Sequence, residues 1–446
     1  MSKASLLETC QEAIRHAQTL GATAAEAYAQ SAETFSSTIE KNDLQIATTH
    51  RETSFGVRAF VGTQVGFTST NDTSKLDVAC RDAVALAKAA PPDPHNVLPE
   101  PAPIDPVAGL HDPLAAGFTV KQTVEHAIRM LEIAESIDRR LLLGNADFSS
   151  TISHRTLANS RGVSLAEDAS LFTYFALATA KDGNRVSNFD FQFGAARSVS
   201  AIDVEPVTRR ACEHALASLG AEEGVSFHGS VLLSPSAVYD IFIGLLVFHA
   251  NARNVLRGLS RWKDQFDRPV ASNRLTLVDD GRLPGGVATS SFDREGVPRS
   301  TCCLIQDGRL NAWLHNTYSA AVFGTSSNGH AGGSARSLPA VGPTNLTIRP
   351  GDAGLQEIIA DMPKGLLVTR FSGNVDPVSG DFSGVAKGAR LIVDGRLDRA
   401  VRGTLIAGNA FEALRNLSAI SHEAEQIYNA LLPYVRLEKI SVTANA

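Results

Sequence analysis

The chain has 446 residues, a formal net charge of -6, 43% hydrophobic and 20% charged residues. This length predicts two or three domains with a large core, and the composition is that of an ordinary globular protein. Because the balance is acidic and no basic run is present, a surface that follows nucleic-acid phosphates is disfavoured.

The cysteine pattern and the first residues bear on the cellular compartment. Five cysteines occur without a CxxC pair, at Cys10, Cys80, Cys212, Cys302 and Cys303. The vicinal pair suits neither a disulfide nor a zinc clamp. No apolar segment at the start resembles a signal peptide. These features predict reduced thiols and a cytoplasmic location, with no contact with a membrane.

The first half of the sequence alternates strand and helix patterns. The predicted elements are a helix (4–20), strands (25–32, 34–41, 44–49), a hairpin (53–70) and a helix (74–89). Eight of the 19 prolines then fall in residues 91–113, which predicts an extended surface connector. A second set follows as a helix (120–137), strands (141–148, 152–158, 164–180, 185–195) and a helix (204–219). The shared order of strands, hairpin and helix indicates an internal duplication within an α/β domain, residues 1–224.

The second half, residues 225–446, is predicted to be a β-rich domain around one long buried helix. A strand (229–233) leads into this core helix, residues 235–262, whose Ser234-Pro235 start is a good N-cap. Its apolar run, 241–248, is far shorter than the roughly 20 residues that cross a bilayer. The remaining predictions are strands (275–278, 302–305, 366–371, 388–393, 399–405), helices (407–418, 423–431) and a closing strand (435–442). The predicted fold class is therefore α+β, with a barrel-like antiparallel second domain.

The core helix carries a polar cluster at residues 249–254 that does not meet the requirements of a zinc site. A zinc site of the HExxH kind needs two helical imidazoles and a glutamate that acts as the base. His249 offers one imidazole, but Ala250 replaces the glutamate and Arg253 stands where the second ligand would be. His422-Glu423 lacks a second histidine as well. The sequence therefore predicts no catalytic residue and no metal site.

Other catalytic motifs are also missing. The sequence has no G-x-S-x-G elbow, Walker loop or Rossmann fingerprint. The loop at 326–336, which contains His330 and Arg336, is predicted to be a surface loop, although such loops also line binding clefts. Four acidic residues could hold a hard cation, namely Asp279, Asp280, Asp293 and Glu295. Their positions are explained equally well by Asp-Gly turns.

Several short segments together carry a family resemblance that runs through nearly the whole chain in order. They are residues 56–61 (GVRAFV), 66–70 (GFTST), 159–162 (NSRG), 277–281 (LVDDG), 292–298 (FDREGVP), 344–352 (TNLTIRPGD), 379–383 (SGDFS) and 405–409 (LIAGN). On these segments the chain resembles the TldD/PmbA (TldD/TldE) family of metalloproteases, also described as modulators of DNA gyrase. The resemblance implies an α/β N-terminal domain and a β-rich C-terminal domain around a long helix.

The resemblance also implies a division between two branches of the family. In the TldD branch the long helix carries HExxxH, and a cysteine near the C-terminus completes a zinc site. Here the motif aligns with residues 249–254, where His249 is kept but Ala250 and Asn254 replace the glutamate and the second histidine. Residues 426–442 contain no cysteine. The chain therefore resembles the PmbA/TldE branch, which has no zinc of its own.

The expectation from this resemblance is a non-catalytic subunit that pairs with a TldD-type zinc protease. The pair would enclose a cleft that degrades unfolded peptides or trims peptide precursors bound as extended strands. Residues expected in that cleft are Asn251, Arg253, His330 and Arg336. A heterodimer is expected, although a homodimer stays open.

Two alternatives remain. One is an autonomous hydrolase that uses His249 or His330 with Cys302 or Cys303. The other is a regulatory binding protein that acts on a toxin or on DNA gyrase.

Overall fold

A computed structural model describes residues 3–444, and its N-terminal half is one antiparallel sheet covered by four helices. The helices are α1 (Lys3–Thr19), α2 (Leu76–Ala89), α3 (Val120–Ile137) and α4 (Glu205–Ala217). The strands are β1 (Ala24–Glu40), β2 (Asp43–Val61), β3 (Gln64–Thr70), β4 (Leu141–Asn159), β5 (Ser164–Asp182), β6 (Arg185–Val186) and β7 (Asp190–Ala196). Their order is β3-β2-β1-β4-β5-β6, and β7 also pairs with β5. The repeated order of strands, hairpin and helix is confirmed.

The strands of this sheet are longer than predicted, because segments predicted as separate strands are continuous. Residues 25–32 and 34–41 form the single strand β1, which pairs along its length with β2 and β4. Apolar cores cover only the two ends of these strands, under α1 and α2 at one end and under α3 and α4 at the other. Between them, hydroxyl pairs bridge neighbouring strands, including Ser31–Thr53 at 3.0 Å and Ser36–Thr48 at 2.8 Å. Cross-strand hydroxyl pairs stabilise a sheet where no apolar core does.

The proline-rich connector, residues 91–113, contains no strand, as predicted, and the 3₁₀ turn Pro113–Gly117 begins at its last residue. Proline removes backbone donors, so this segment cannot join a sheet interior. It is fixed instead by side chains of the folded parts. For example, the amide of Asn159 donates to the carbonyl oxygen of Pro99 at 3.0 Å.

The C-terminal half is a 14-stranded, mostly antiparallel sheet that forms a half-barrel around the core helix. Its strands, with a separate β13–β14 pair, are β8 (Glu222–Glu223), β9 (Phe227–Leu233), β10 (Leu277–Asp280), β11 (Thr301–Gln306), β12 (Arg309–Leu310), β13 (Ala331–Gly332), β14 (Ala340–Val341), β15 (Leu346–Ile348), β16 (Lys364–Val368), β17 (Arg370–Val375), β18 (Asp381–Lys387), β19 (Ala389–Val393), β20 (Arg396–Arg402), β21 (Thr404–Asn409), β22 (Leu417–Ile427) and β23 (Ala430–Ala444). The helices are α5 (Pro235–Val238), α6 (Gly244–Ala250), α7 (Ala252–Leu256), α8 (Thr317–Phe323), α9 (Leu355–Ala360) and α10 (Ala410–Arg415). No helix within residues 3–444 is long and apolar enough to cross a membrane.

The core helix is shorter than the predicted 235–262. It consists of α5, a π-helical turn at Tyr239–Ile243 and α6, and it ends at Ala250. Asn251 has an extended backbone (ψ 112°), and its side chain accepts a hydrogen bond from the backbone N–H of Arg253. Asn251 is thus the N-cap of the separate helix α7, and a cap residue cannot also continue the preceding helix. The apolar periodicity alone did not reveal this break.

The predicted helix at 423–431 is wrong, because residues 417–427 form strand β22, which pairs with β23. Glu, Ala and Gln favour a helix locally, but pairing with β23 overrides that weak preference. Tyr428 makes the turn with φ +51°. The helix predicted at 407–418 is likewise reduced to α10, since residues up to Asn409 belong to β21.

A buried network of four charged side chains joins the N-terminal sheet to a turn of the C-terminal half at residues 294–295. Arg58 of β2 bonds Glu26 of β1 at 2.6 Å and Glu295 of the C-terminal half at 2.9 Å. Arg294 bonds the other oxygen of Glu26 at 2.9 Å and lies over the ring of Tyr28. None of the four charged residues is more than 8% exposed. Because buried charges are tolerated only when paired, this network fixes how the halves meet.

Replacing Arg58 with methionine should therefore destabilise the protein strongly. The substitution keeps the volume but leaves the buried carboxylates of Glu26 and Glu295 without their shared partner, at a cost of about 3–5 kcal/mol. The matched control is Arg209→Met, which removes an exposed pair with Glu205 and should cost less than about 1 kcal/mol. Urea denaturation of both variants measures the difference. Equal losses would show that the buried network contributes no more than a surface pair.

Candidate functional site

The candidate site lies where the core helix ends, and His249 is its buried centre. The ring has no exposed surface. Its Nδ1 accepts the backbone N–H of Arg261 at 3.1 Å. Its Nε2 lies 2.7 Å from the carbonyl oxygen of Pro377, which can only accept a hydrogen bond. The proton is therefore on Nε2, and the neutral imidazole has both nitrogens in use.

The surroundings of His249 keep it neutral. Phe248, Trp262 and Phe411 surround the ring, with centroids 4.9–5.6 Å away. Burial lowers the pKa of the His249 imidazole to about 4, although the bond to Pro377 favours the proton. A metal would need a free lone pair on the ring, and the only one, on Nδ1, is taken by Arg261. This histidine does not fit a zinc ligand.

The other two positions of the motif serve the backbone. Ala250 is fully buried, and its carbonyl accepts the N–H of Leu314 at 2.8 Å. The amide of Asn254 donates to the carbonyl of Phe248 at 2.9 Å, across the break in the helix. Within residues 3–444, no three His, Cys, Asp or Glu side chains are grouped so that they could share a metal ion. The motif positions therefore stabilise a bent helix end.

Two cavities flank the helix end, and an arginine lines each. The first, which we call the Arg253 cavity, has a volume of about 300 Å³. The Arg253 guanidinium lies 4.2 Å from the ring centroid of Tyr318, whose hydroxyl donates to Asp93 at 2.8 Å. Arg58 and Glu295 of the buried network form part of the same wall. This cavity therefore combines residues of both halves and of the proline-rich connector.

The second cavity, which we call the Arg261 cavity, has a volume of about 430 Å³. It is lined by Arg261, Trp262, Gln265, Val270, Asn409, Phe411, Glu412 and Arg415. The guanidinium of Arg261 lies 4.8 Å from the ring centroid of Phe411. Since Trp262 and Phe411 also touch His249, the histidine packs behind the aromatic wall. The cavity thus offers aromatic faces together with nitrogen donors.

The structure brings together two of the four residues expected in a cleft. Asn251 and Arg253 are adjacent at the start of α7, where the Asn251 amide also bonds the carbonyl of Val341. His330 lies fully inside the C-terminal half, with Nδ1 3.0 Å from the Asn328 side-chain oxygen. Arg336 is on the surface, 3.1 Å from Glu52 of β2. Of the four expected residues, therefore, only Arg253 lines one of these two cavities.

The remaining candidates have structural partners. Asp279 accepts the N–H of Thr344, and Asp293 accepts three backbone N–H groups, including that of Ala331. Burial raises the pKa of the Cys302 thiol to about 12, and it also raises that of Cys303. A thiol whose pKa is raised is a poor nucleophile.

Several residues of the site were not singled out from the sequence as site residues. Arg58 and Asn409 lie in segments that carry the family resemblance, but the sequence assigned them no role; Glu295 was considered only as a possible cation ligand. Asp93, Tyr318, Arg261 and Phe411 come from four distant segments. Nothing local in the sequence marks them, because Arg261 meets Phe411 only through the fold of the C-terminal half, and Asp93 meets Tyr318 only when the proline-rich connector packs against that half.

The family domains match this architecture in order. Domain 1 of the PmbA/TldA metallopeptidases matches residues 25–87, the central domain matches 115–219, and the C-terminal domain matches 227–444. The chain belongs to the PmbA/TldD metallopeptidase family. The resemblance seen in the short segments is thereby confirmed.

Relatives from both branches of the PmbA/TldD family align over most of the chain. The metalloprotease PmbA homologue of Haemophilus influenzae is 26% identical over 397 residues, which cover 87% of this chain and 85% of that protein. The metalloprotease TldD homologue of Buchnera aphidicola from Schizaphis graminum is 25% identical, covering 84% and 80%. Sequence identity therefore does not separate the two branches.

Solved structures show the same fold. TldE from Thermococcus kodakarensis superposes with a TM-score of 0.89 at 22% identity, covering 98% of this chain and 100% of that one. A Thermotoga maritima protein described as a modulator of a DNA gyrase gives 0.88 at 21% identity, covering 98% and 99%. The α+β architecture with its half-barrel is thus a family fold.

The buried neutral His249 should make stability depend on pH. Its pKa is about 4 in the folded chain against an ordinary 6.5, so the unfolded chain binds more protons between these values. Stability should therefore fall as the pH drops from about 6.5 to about 4, by up to about 3 kcal/mol from this residue. Urea midpoints across this range should show a shallower decline in His249→Leu than in the wild type. His422→Leu, at an exposed position, should keep the wild-type slope.

Proposed function

We propose that this chain is a non-catalytic subunit of the TldE/PmbA type, which forms part of the substrate cleft of a TldD-type zinc protease. The observation that carries this proposal is that both ring nitrogens of His249 form hydrogen bonds with backbone groups. Ala250 and Asn254 supply neither a base nor a second ligand. The partner would hold the zinc, and this chain, in the cytoplasm, would position unfolded peptides or peptide precursors.

The geometry beside His249 supports a positioning role. Two cavities, each walled by aromatic rings and nitrogen donors, lie at the two ends of residues 251–262. TldD relatives of this chain are named metalloproteases. An extended peptide can place alternate side chains in such cavities while its backbone bonds an edge strand.

The alternatives have weaker support. An autonomous hydrolase would need an activated thiol, whereas burial raises the pKa of both Cys302 and Cys303. A role as a modulator of DNA gyrase is suggested by the description of the Thermotoga maritima relative. The net charge of -6 favours protein contacts over DNA contacts for such a role.

Co-expression with a TldD-type protein tests the proposal directly. The two chains should purify as one complex that contains zinc and hydrolyses an unfolded peptide. The isolated chain should contain only trace zinc by elemental analysis and should show no hydrolysis. Stoichiometric zinc in the isolated chain, or peptide hydrolysis by it, would contradict the proposal.

Within that complex, Arg253→Ala should reduce kcat/KM for peptide hydrolysis by about tenfold, the equivalent of about 1.4 kcal/mol of transition-state binding. The zinc content should not change, because Arg253 acts in the cavity and not at the metal. Arg396→Ala, at an exposed position in β20, is the matched control and should leave kcat/KM unchanged. Zinc loss in Arg253→Ala would indicate a structural effect on the partner instead.

A further inference from the structure

The segment that follows the end of the core helix is basic, although the whole chain is acidic. Residues 253–268, which we call the basic segment, contain two acidic residues and five basic ones: Arg253, Arg257, Arg261, Lys263 and Arg268. Of the two acids, Asp267 already pairs with Arg309 from outside the segment at 3.1 Å. The chain as a whole has a net charge of -6, so the positive charge of this segment is local and does not reflect the overall composition.

The basic side chains of this segment have no ion-pair partners among residues 3–444. The salt bridges of the described chain include none of the five. Arg253 and Arg261 instead lie over the aromatic rings of Tyr318 and Phe411, and the other three are exposed. Stacking on a ring keeps a guanidinium in place while its N–H groups stay available. The segment thus presents fixed donors for anions.

Apolar side chains are exposed between these charges. Leu256 is 36% exposed, Leu259 40% and Phe266 53%. The Phe266 ring packs on Trp313 at 5.3 Å, so it is held in place and not loose. Exposed apolar residues among arginines are typical of recognition surfaces.

From this arrangement we infer that the basic segment binds extended peptides in which acidic and apolar side chains alternate. Acidic side chains would reach the donors of the Arg261 cavity, and apolar ones would contact Leu256, Leu259 and Phe266. Of the acids near Arg261, Asp376 accepts the N–H groups of Val378 and Ser379, and Asp381 accepts the Asn409 amide. Arg261 attracts both carboxylates, and Glu412 lines the same cavity, but none of these three acids forms an ion pair with Arg261 within 4 Å. A flat lipid surface would leave the 300 Å³ and 430 Å³ cavities unfilled, which favours a peptide.

This inference rests on the proposed function, because it specifies the substrate of the same site. Its test needs neither zinc nor a partner chain. Fluorescence anisotropy of the full isolated chain would compare three labelled peptides that share alternating leucines and a helix-breaking proline. The three peptides differ only at the positions between the leucines, which are all glutamate, all glutamine or all lysine.

The glutamate peptide should bind about tenfold more tightly than the glutamine peptide, and the lysine peptide should bind most weakly. The preference should shrink as salt concentration rises, since exposed charges are screened. In the triple variant Arg257→Glu, Arg261→Glu, Lys263→Glu the preference should disappear. The control variant Arg396→Glu, Arg402→Glu, which changes exposed residues of β20, should keep it. If the triple variant does not fold, Arg257→Gln with Lys263→Gln should still reduce the preference.

Equal affinity for the glutamate and glutamine peptides would overturn the inference, as would an equal loss in the β20 control. Tighter binding to phosphatidylserine vesicles than to the glutamate peptide would overturn it in favour of a membrane surface. If the complex with the partner contains zinc and is active, but the isolated chain does not prefer the glutamate peptide, the inferred substrate class is wrong and the proposed function stands. If the isolated chain prefers the glutamate peptide but forms no active complex, the proposed role in a protease is wrong, and the basic segment is still a binding surface for acidic peptides.

Discussion

The pairing of four buried charges between the N-terminal sheet and a turn of the C-terminal half is the constraint on which the site depends. Glu26 and Arg58 come from the N-terminal sheet, and Arg294 and Glu295 come from the C-terminal half. Because an unpaired buried charge is very costly, the halves must dock so that all four charges are paired, as they are here. That geometry places Arg58 and Glu295 in the wall of the Arg253 cavity. The interface of the halves and the candidate cleft are thus formed by the same residues.

A second constraint acts on the end of the core helix. In a zinc site the imidazole would present a lone pair to a metal, but here the ring of His249 bonds Arg261 and Pro377 and packs against three aromatic rings. The histidine therefore stabilises the loop around Pro377 and the start of the basic segment. His249, which resembles the first histidine of a zinc motif, therefore has a structural role. It supports the basic segment, which carries Arg253 and Arg261.

The sequence predicted the elements well where periodicity is strong and poorly where local preference and tertiary pairing disagree. The helix at Val120–Ile137 agrees at both ends, because its apolar stripe and Thr119 cap coincide. The expected helix at 423–431 is a strand, since pairing with β23 outweighs the helix preference of Glu and Ala. The core helix ended early at Asn251, whose side chain caps the next helix, and apolar spacing cannot show which way a side chain turns.

For the site, the sequence by itself determined the family, the α+β class and the fact that alanine and asparagine stand at positions 250 and 254 beside His249, because these depend only on residue identity and order. It could not determine that both nitrogens of His249 are occupied, that His330 is buried, or that Asp93 and Tyr318 meet Arg253. Those facts depend on contacts between residues up to hundreds of positions apart. The contacts of His249 and His330 form within the fold of the C-terminal half, and Asp93 reaches Tyr318 only when the two halves dock, and so the tertiary structure alone decided them.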